Sequence, residues 1–274
     1  MIRIENVHEQ PNYEHHTPPA RRSILHSIAL RPAASYPNAA TLQFELRVRE
    51  HTVAAARALN ESGAAFATFD TTRGNPDYWN VAPNGALLLR PGRKPSEALR
   101  DIFANGSMYG FECATAIVIV FYKAVLESIG DQAYDLLFAN TILFHWNVDR
   151  DLGLTTVPTN RFIPGDALYF DNPDVDPDSP QWQGENVIVM GGGLYYGHGI
   201  GITGPEDIIR VLNQYRRPDA QRSAFLLDQA TRPGYAAILQ AAGSLPEPYA
   251  YTGHSQLPSG FPMRAVVGSI VYLD

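Results

Sequence analysis

The feature that most constrains this fold is a ten-residue apolar run, from Cys113 to Tyr122, that ends at Lys123. The run is too short to cross a bilayer, which takes about twenty residues. It is also too hydrophobic to lie in solvent. Gly130 stands where a glycine commonly ends a helix. The pattern therefore predicts a central buried helix from about Glu112 to Ile129.

Cys113 is the only cysteine in the 274 residues, and a carboxylate, Glu112, comes directly before it. Free N–H groups and the helix dipole stabilise a thiolate at a helix N-terminus, and the same N–H groups can hold an oxyanion. The position therefore fits a reactive thiol. It also fits a buried, inert cysteine that acts as a small hydrophobe. The local pattern leaves both interpretations open.

The composition excludes several classes of protein. The net charge is −7 and the isoelectric point is about 5.6, without the basic surplus that is typical of nucleic-acid-binding proteins. One cysteine forms no internal disulfide and no structural zinc site by itself, which favours a reducing compartment. The first six residues lack the apolar core of a signal peptide. We expect a soluble protein without a nucleic-acid or membrane partner.

The rest of the chain predicts an alternation of helices and strands around this helix. Residues 1–40 lack a sustained period and are predicted to be mostly irregular, and residues 233–274 are predicted to form a C-terminal extension rich in Pro and Gly. The predicted helices span residues 41–60, 95–104 (with Ser96 as N-cap), 131–139 and 205–217. The predicted strands span residues 66–69, 78–81, 86–89, 141–146, 185–190, 194–198 and 223–227, and residues 165–170 are predicted to be a turn that leads into a strand.

Two loops resemble ligand sites without matching one. Residues 171–180 contain four Asp and three Pro, but they lack the glycine and the terminal glutamate of an EF-hand, so a surface loop is predicted. The three glycines at 191–193 are followed by neither Lys-Ser/Thr nor a helix. They are therefore interpreted as a hairpin turn rather than a phosphate loop.

A catalytic thiol needs a base or an ion-pair partner, and the sequence offers histidines and a carboxylate. The histidine candidates are His51, His145, His198 and, in the tail, His254. His198 is the best placed of them, because it ends a hairpin strand between two glycines. Glu185, at the start of the partner strand, can act as a general base if burial raises its pKa. A surface histidine also fits the position of His198, and a carboxylate at a strand start, such as Glu185, is usually solvated.

The segment Tyr109–Ile119 closely resembles the active-site segment of the Bacillus spore-coat transglutaminase family, the protein-glutamine γ-glutamyltransferases. Further matching blocks follow in order at Gly63–Phe69, Gly165–Phe170, Gln181–Ile188, His198–Ile202 and Gln229–Arg232. The blocks lie within residues 41–232, which we assign to the catalytic core of a single domain spanning residues 1–274. One departure is Gln183, which stands where the family pattern has arginine.

The resemblance implies an α+β fold with a papain-like or NlpC/P60-like core. In such a core the nucleophile begins a buried helix that packs on an antiparallel sheet. The family's nucleophile falls on Cys113, its main acid/base carboxylate on Glu185 and its auxiliary carboxylate on Glu112, while His198 occupies a matching position. The aromatic walls of a substrate tunnel fall on Phe66, Trp146 and Trp182, with Tyr109 near the nucleophile.

The implied activity is the formation of ε-(γ-glutamyl)lysine isopeptide cross-links through a cysteine thioester, with release of ammonia and without calcium or another cofactor. The implied partners are proteins that bear Gln and Lys, among them spore-coat proteins. The implied location is the cytoplasm of the sporulating mother cell and then the spore coat. Two alternatives remain: a cysteine peptidase or amidase of the NlpC/P60 type, and a non-catalytic coat protein. Gln240 and Gln256 are candidates for self-crosslinking.

Overall fold

The computed structural model describes residues 2–4, 18–31 and 34–245, and the backbone of residues 264–267 and 270–273. The chain divides into two compact units, Met1–Ser244 and Leu245–Asp274. In the second unit, strands β15 (Arg264–Val267) and β16 (Ile270–Leu273) form an antiparallel pair. All of the predicted site residues lie in the first unit.

Seven helices lie in the described part of the first unit, and the central one is buried on all sides. This helix, α4, begins at Cys113 and buries 14 of its 17 residues, as the apolar run predicts. None of the helices in the described ranges is long and apolar enough to cross a membrane. The helices are α1 (Pro19–Ala29), α2 (Ala39–Glu61), α3 (Pro95–Ala104), α4 (Cys113–Ile129), α5 (Asp131–Leu137), α6 (Pro205–Asn213) and α7 (Tyr235–Gly243).

The strands of the first unit are β1 (Arg3–Ile4), β2 (Ser35–Tyr36), β3 (Ala65–Phe66), β4 (Trp79–Val81), β5 (Leu87–Leu89), β6 (Gly110–Phe111), β7 (Ile142–Leu143), β8 (Thr155–Pro158), β9 (Ala167–Asp171), β10 (Gly184–Gly191), β11 (Leu194–Gly197), β12 (Gly201–Thr203), β13 (Phe225–Leu226) and β14 (Gln229–Arg232). They form one large sheet, a three-stranded sheet of order β4-β5-β7, and two short pairs, β1 with β2 and β3 with β6. The large sheet has the order β12-β11-β10-β9-β14-β8, with β13 also paired to β9, and its pairings are antiparallel.

Strand β10 lies at the centre of this sheet and is covered on both faces. Ile188 and Met190 belong to the core around α4, whereas Val187 and Val189 pack with Ile208 of α6. Successive side chains of a strand point to opposite faces, so one strand contributes to both cores. A central buried helix packed on an antiparallel sheet confirms the predicted α+β class with a papain-like core.

Residues 19–29 depart from the irregular N-terminal segment that the sequence predicts. They form α1, which buries Ile24, Leu25 and Ile28 in a small core with Leu42 and Leu46 of α2. Three apolar side chains among arginines are a weak periodic signal. This helix owes its stability to tertiary packing rather than to propensity.

Several predicted boundaries also shift. The N-cap of α3 is Lys94, not Ser96, because Pro95 occupies the first helical turn. Helix α6 ends at Asn213, four residues before the predicted end. Strand β14 is absent from the sequence prediction, although it joins β8 to β9 in the sheet. Helix α7, within the predicted extension, buries Tyr235 and Ile238 in the main core of the first unit.

Candidate active site

Cys113 is the first residue of α4, and Glu112 is the N-cap of that helix. The Glu112 carboxylate accepts hydrogen bonds from the backbone N–H groups of Ala114 at 2.6 Å and Thr115 at 2.7 Å. It also accepts one from the Thr115 hydroxyl at 2.7 Å. A side chain that satisfies the first-turn donors determines where the helix begins. Glu112 therefore places the thiol at the helix N-terminus, and its predicted auxiliary catalytic role stays a prediction.

The Cys113 thiol is 8% exposed and receives a hydrogen bond from the side chain of Asn186, with 3.3 Å between Nδ2 and Sγ. Burial raises the pKa of Cys113, and the charges of Glu185 and Glu112 raise it further, while the Asn186 hydrogen bonds oppose the shift. At neutral pH the isolated thiol therefore keeps its proton. Activation requires a proton acceptor within the site.

Glu185 lies on β10 opposite Phe170 of β9, and the residue is only 2% exposed. Among the described residues, its Oε1 has no hydrogen-bond partner. Burial raises the pKa of Glu185 well above its usual range; the backbone N–H of His198 opposes the shift, and the charge of Glu112 adds to it. No hydrogen bond joins Glu185 to Cys113 among the described residues. Their interaction is electrostatic, since the charge of Glu185 raises the pKa of the thiol.

Two glycines leave the space that this arrangement needs. A Cβ atom on Gly197 of β11 would lie 3.0 Å from Oε1 of Glu185. A Cβ atom on Gly184 would lie 2.2 Å from the hydroxyl of Tyr169, a side chain that lines the cavity beside the thiol. A methyl group at either position would displace a polar side chain of the site.

His198 lies in a different environment from the one that the sequence suggests. Nε2 lies 3.1 Å from the carbonyl oxygen of Ala65, which can only accept, so Nε2 donates and Nδ1 accepts from the Tyr196 hydroxyl at 3.0 Å. Burial lowers the pKa of His198 to about 4, with the Ala65 hydrogen bond opposing. The ring stacks on Phe111 at 4.9 Å. This geometry favours a positioning role for a neutral His198 beside the nucleophile segment, not proton transfer.

A cavity of about 990 Å³ opens onto Cys113 and is walled by aromatic and polar side chains. Among the described residues, no lysine or arginine lines it, whereas two carboxylates do, those of Asp70 and Glu112. The lining residues are Phe66, Thr68, Phe69, Asp70, Glu112, Cys113, His145, Trp146, Val148, Leu154, Thr156, Ala167, Leu168, Tyr169, Pro180, Gln181, Gln183, Gly184, Asn186, Gln229 and Thr231. The cavity therefore suits an uncharged or cationic side chain better than an anionic one.

The four predicted tunnel residues divide into three groups. Phe66 and Trp146 line the cavity. Trp182 supports the wall from behind, stacked on Phe66 at 5.8 Å and on Tyr215 at 4.2 Å. Tyr109 is fully buried elsewhere, and its hydroxyl donates to Asp101 at 2.5 Å. Tyr109 precedes the nucleophile in sequence, but its side chain points into the core.

Asn186 escaped the sequence interpretation of the site, and His145, one of the histidine candidates, lines the cavity. The only sequence signal for Asn186 was its position next to Glu185 in a matched block. His145 is a non-glycine residue with φ 52°, a costly backbone conformation that functional sites often contain. Its backbone N–H donates to the Thr115 hydroxyl at 2.8 Å, so the cap of α4 also holds this turn. The predicted strand 141–146 is correspondingly reduced to Ile142–Leu143.

The acidic loop at residues 171–180 is held in place by hydrogen bonds from residues 221 and 222. Asp174 accepts from the Arg222 guanidinium at 2.7 Å and from the backbone N–H of Gln221 at 2.8 Å. Within the described ranges, no group of three or more His, Cys, Asp or Glu side chains is arranged to hold a metal ion. The loop is held by an ion pair, as a structural element of the surface.

Comparisons with known proteins agree on one family. The family model described as protein-glutamine gamma-glutamyltransferase matches residues 1–242. The protein-glutamine gamma-glutamyltransferase of Bacillus licheniformis is 48% identical over 221 residues, which cover 80% of this chain and 90% of the relative. The protein of the same name from Bacillus subtilis is 48% identical over 197 residues, covering 72% of this chain and 80% of the relative.

A solved structure gives the same result for the fold. It is a transglutaminase from Geobacillus stearothermophilus without its C-terminal extension, 50% identical in sequence. The match has a TM-score of 0.72 and covers 74% of this chain and 98% of that structure.

Proposed function

This chain belongs to the protein-glutamine γ-glutamyltransferase family and is a transglutaminase, and we propose that Cys113 and Glu185 carry out its chemistry. Its substrates are proteins that bear glutamine and lysine. The observation that supports this assignment is a buried thiol at the start of a helix, close enough to a buried carboxyl group for the charge of Glu185 to raise the pKa of Cys113. Among the described residues, Oε1 of Glu185 has no hydrogen-bond partner. Since the negative charges of Cys113 and Glu185 repel, the pair holds a single proton over a wide pH range.

The first half-reaction uses the pair with its proton on Glu185. The Cys113 thiolate attacks Cδ of a glutamine side chain, and the Cδ–N bond breaks. The leaving nitrogen takes the proton of Glu185 and departs as ammonia, which leaves a thioester and a Glu185 carboxylate. The Asn186 amide, which lies beside the thiol, is available to the developing oxyanion, whereas the N–H groups of Ala114 and Thr115 already donate to the Glu112 carboxylate.

In the second half-reaction an unprotonated lysine amine attacks the thioester. The new N–C bond replaces the S–C bond, Glu185 takes the proton that the amine nitrogen loses, and the thiolate is restored. Glu185 thus acts first as acid and then as base. The aromatic wall of Phe66 and Trp146, with Trp182 stacked on Phe66, limits the access of water, which would otherwise hydrolyse the thioester to glutamate.

The proposed reaction needs no metal, because a thiol and a carboxyl group supply every proton and electron-pair transfer. Asp174 of the acidic loop is occupied by Arg222, which supports a structural function for this loop. We expect EDTA to leave the rate of amine incorporation unchanged. Loss of activity in EDTA that calcium restores would overturn this part of the proposal.

The biological role that we propose is cross-linking of the spore coat, with synthesis in the mother cell followed by assembly into the coat. It rests on the resemblance of the active-site segment to that of spore-coat transglutaminases. The test is the amount of γ-glutamyl-lysine in coats from cells that carry wild type or Cys113→Ala. Equal amounts in the two strains would contradict the role.

The chemistry is tested by incorporation of a fluorescent primary amine into casein. Wild type should label casein, and Cys113→Ala should lose at least about a thousandfold of this rate, as expected for removal of a nucleophile. Release of ammonia without incorporation of the amine would instead indicate an amidase. Unchanged labelling by Cys113→Ala would exclude Cys113 as the nucleophile.

A further inference from the structure

The basic residues of this transglutaminase are strongly biased towards arginine. Only two of its 21 basic residues are lysines, Lys94 and Lys123, whereas the chain contains ten glutamines. A lysine amine can lose its proton and attack a thioester. The arginine guanidinium stays protonated at any working pH and cannot. An enzyme that joins glutamine to lysine thus has two lysine side chains at which it can itself be joined.

The structure distinguishes these two lysines sharply. Lys123 lies in the middle of α4, with its side chain 19% exposed. Its ammonium donates to Glu127 at 2.7 Å and lies 5.3 Å from the centre of the Phe103 ring. Because the Lys123 ammonium is held by Glu127 and by the Phe103 ring on a buried helix, it cannot reach into the cavity of another molecule.

Lys94 has the opposite setting. It is the N-cap of α3, with extended backbone (φ −79°, ψ 131°), and its side chain is 66% exposed. The preceding turn contains Gly92, at which an added Cβ would meet nothing within 4 Å. Lys94 forms a single ion pair, with Glu97 at 3.4 Å, and this pair is weak because both side chains are exposed to solvent.

The cavity itself suits such an acceptor. Asp70 is an exposed carboxylate on its wall, and no ion pair occupies it among the described residues. Lys94 is absent from the described lining of the cavity, so its reaction would join two molecules rather than modify one. Glutamines are available for this reaction in several exposed positions of the described chain: Gln132, Gln181, Gln183, Gln214, Gln221 and Gln240. Gln256 lies outside the described residues.

We propose that Lys94 is the single lysine through which this transglutaminase is itself cross-linked. The inference rests on the proposed thioester chemistry. The unprotonated Nζ of Lys94 attacks the thioester carbon on Cys113 of a second molecule, the S–C bond breaks, and the proton lost from Nζ goes to Glu185. Each chain then enters a cross-linked assembly once as acyl acceptor, while its glutamines allow several links as donor.

The experiment uses the full chain and a biotinylated peptide that contains one glutamine and no lysine. Wild type, Lys94→Arg and Lys123→Arg are incubated with the peptide, and biotin on the enzyme is quantified. The labelled site is mapped after chymotrypsin digestion, since the bond between Lys94 and Pro95 resists trypsin. Incorporation of a fluorescent amine into casein is measured in the same samples, and both variants should match wild type there.

Wild type and Lys123→Arg should carry biotin on Lys94, and Lys94→Arg should lose at least tenfold of the label together with the self-crosslinked oligomers. Retention of the label in Lys94→Arg, or mapping to Lys123 or to the N-terminal amine, would overturn the inference. So would an enzyme that labels casein but not itself. Failure of wild type to label casein would instead overturn the proposed chemistry, and this inference with it.

Discussion

Two carboxyl groups, those of Asp166 and Glu185, are buried to a similar depth in opposite electrostatic environments. Asp166 accepts hydrogen bonds from Arg49 at 2.8 Å and from Arg232 at 2.7 Å through both of its oxygens. Burial alone would raise the pKa of Asp166, but the two arginines outweigh it and the pKa is lowered. Glu185 has no arginine or lysine partner among the described residues, and its pKa is raised.

The Asp166 cluster joins elements that are far apart in the chain. Arg49 of α2 is fully buried, bonds to Glu45 on its own helix at 2.8 Å, and has its guanidinium 5.1 Å from the centre of the Tyr235 ring of α7. Every charge in this cluster faces an opposite charge. The comparison with Glu185 teaches that burial alone does not make a carboxyl group reactive. A buried carboxyl group keeps a raised pKa, and can act as acid and base, only where the fold places no arginine or lysine beside it.

The largest expected effect comes from Glu185→Gln, which keeps the shape of the side chain but removes the proton. Amine incorporation should fall by about 10²–10⁴-fold, the usual contribution of a general acid/base. The protein should stay folded, because a neutral amide replaces a group that is already neutral when protonated. Activity is measured with casein and folding by circular dichroism. If Glu112→Gln abolishes activity and Glu185→Gln does not, our assignment of the two carboxyl groups is reversed.

Asp166→Asn should have the converse effect, on stability rather than on chemistry. Removing this charge leaves Arg49 buried without its second carboxylate, and breaking such a pair costs about 3–5 kcal/mol in the free energy of unfolding. Urea denaturation measures this loss. The rate of amine incorporation per folded molecule, measured at low temperature, should change little. A fall in that rate with unchanged stability would contradict the structural role of the cluster.

The two carboxyl groups should also give opposite pH dependences of stability. The raised pKa of Glu185 means that the folded state holds a proton that the unfolded state releases above about pH 4.3, so stability falls as the pH rises from there. The lowered pKa of Asp166 stabilises the fold above about pH 3.9, and this contribution is lost as the pH falls.

Urea unfolding between pH 5 and 8 tests the Glu185 part of this pH dependence. The comparison is made in Cys113→Ala protein, so that the thiol does not titrate. The advantage in stability of Glu185→Gln should grow with pH by at most about 1.4 kcal/mol per unit. The difference caused by Asp166→Asn should stay constant over the same range. A constant difference for Glu185→Gln would show that its carboxyl group ionises normally.

The smallest effect is expected at Asn186, the neutral donor to the thiol. Asn186→Ala removes a hydrogen bond to the developing thiolate, so the rate of Cys113 alkylation by iodoacetamide at fixed pH should fall by about tenfold. The pH profile of alkylation should move to higher pH. Gln181→Ala, a substitution elsewhere on the cavity wall, is the matched control and should leave the profile in place. An unchanged profile for Asn186→Ala would remove Asn186 from the site.

Much of the nucleophile's setting could be predicted from sequence because its signals are local. The buried helix follows from one apolar run, its end from Gly130, and the hairpin that carries Glu185 from strand patterns around three glycines. The matching blocks supplied the family and the nucleophile. The hydrogen bond that Asn186 donates to Cys113 could not be predicted from local sequence, since it joins positions 73 residues apart.

Local sequence is sufficient for the class of the fold, the helix that presents Cys113 and the family of the chain, because each depends on residues that are neighbours in the chain. Only the tertiary structure decides what surrounds each charge. Arg49 meets Asp166 across 117 residues, while no cation reaches Glu185 in the described chain. The burial of His198 against Phe111 and the place of Tyr109 in the core depend on tertiary packing in the same way. Burial and partners depend on packing between distant segments, and these determine the pKa of a side chain.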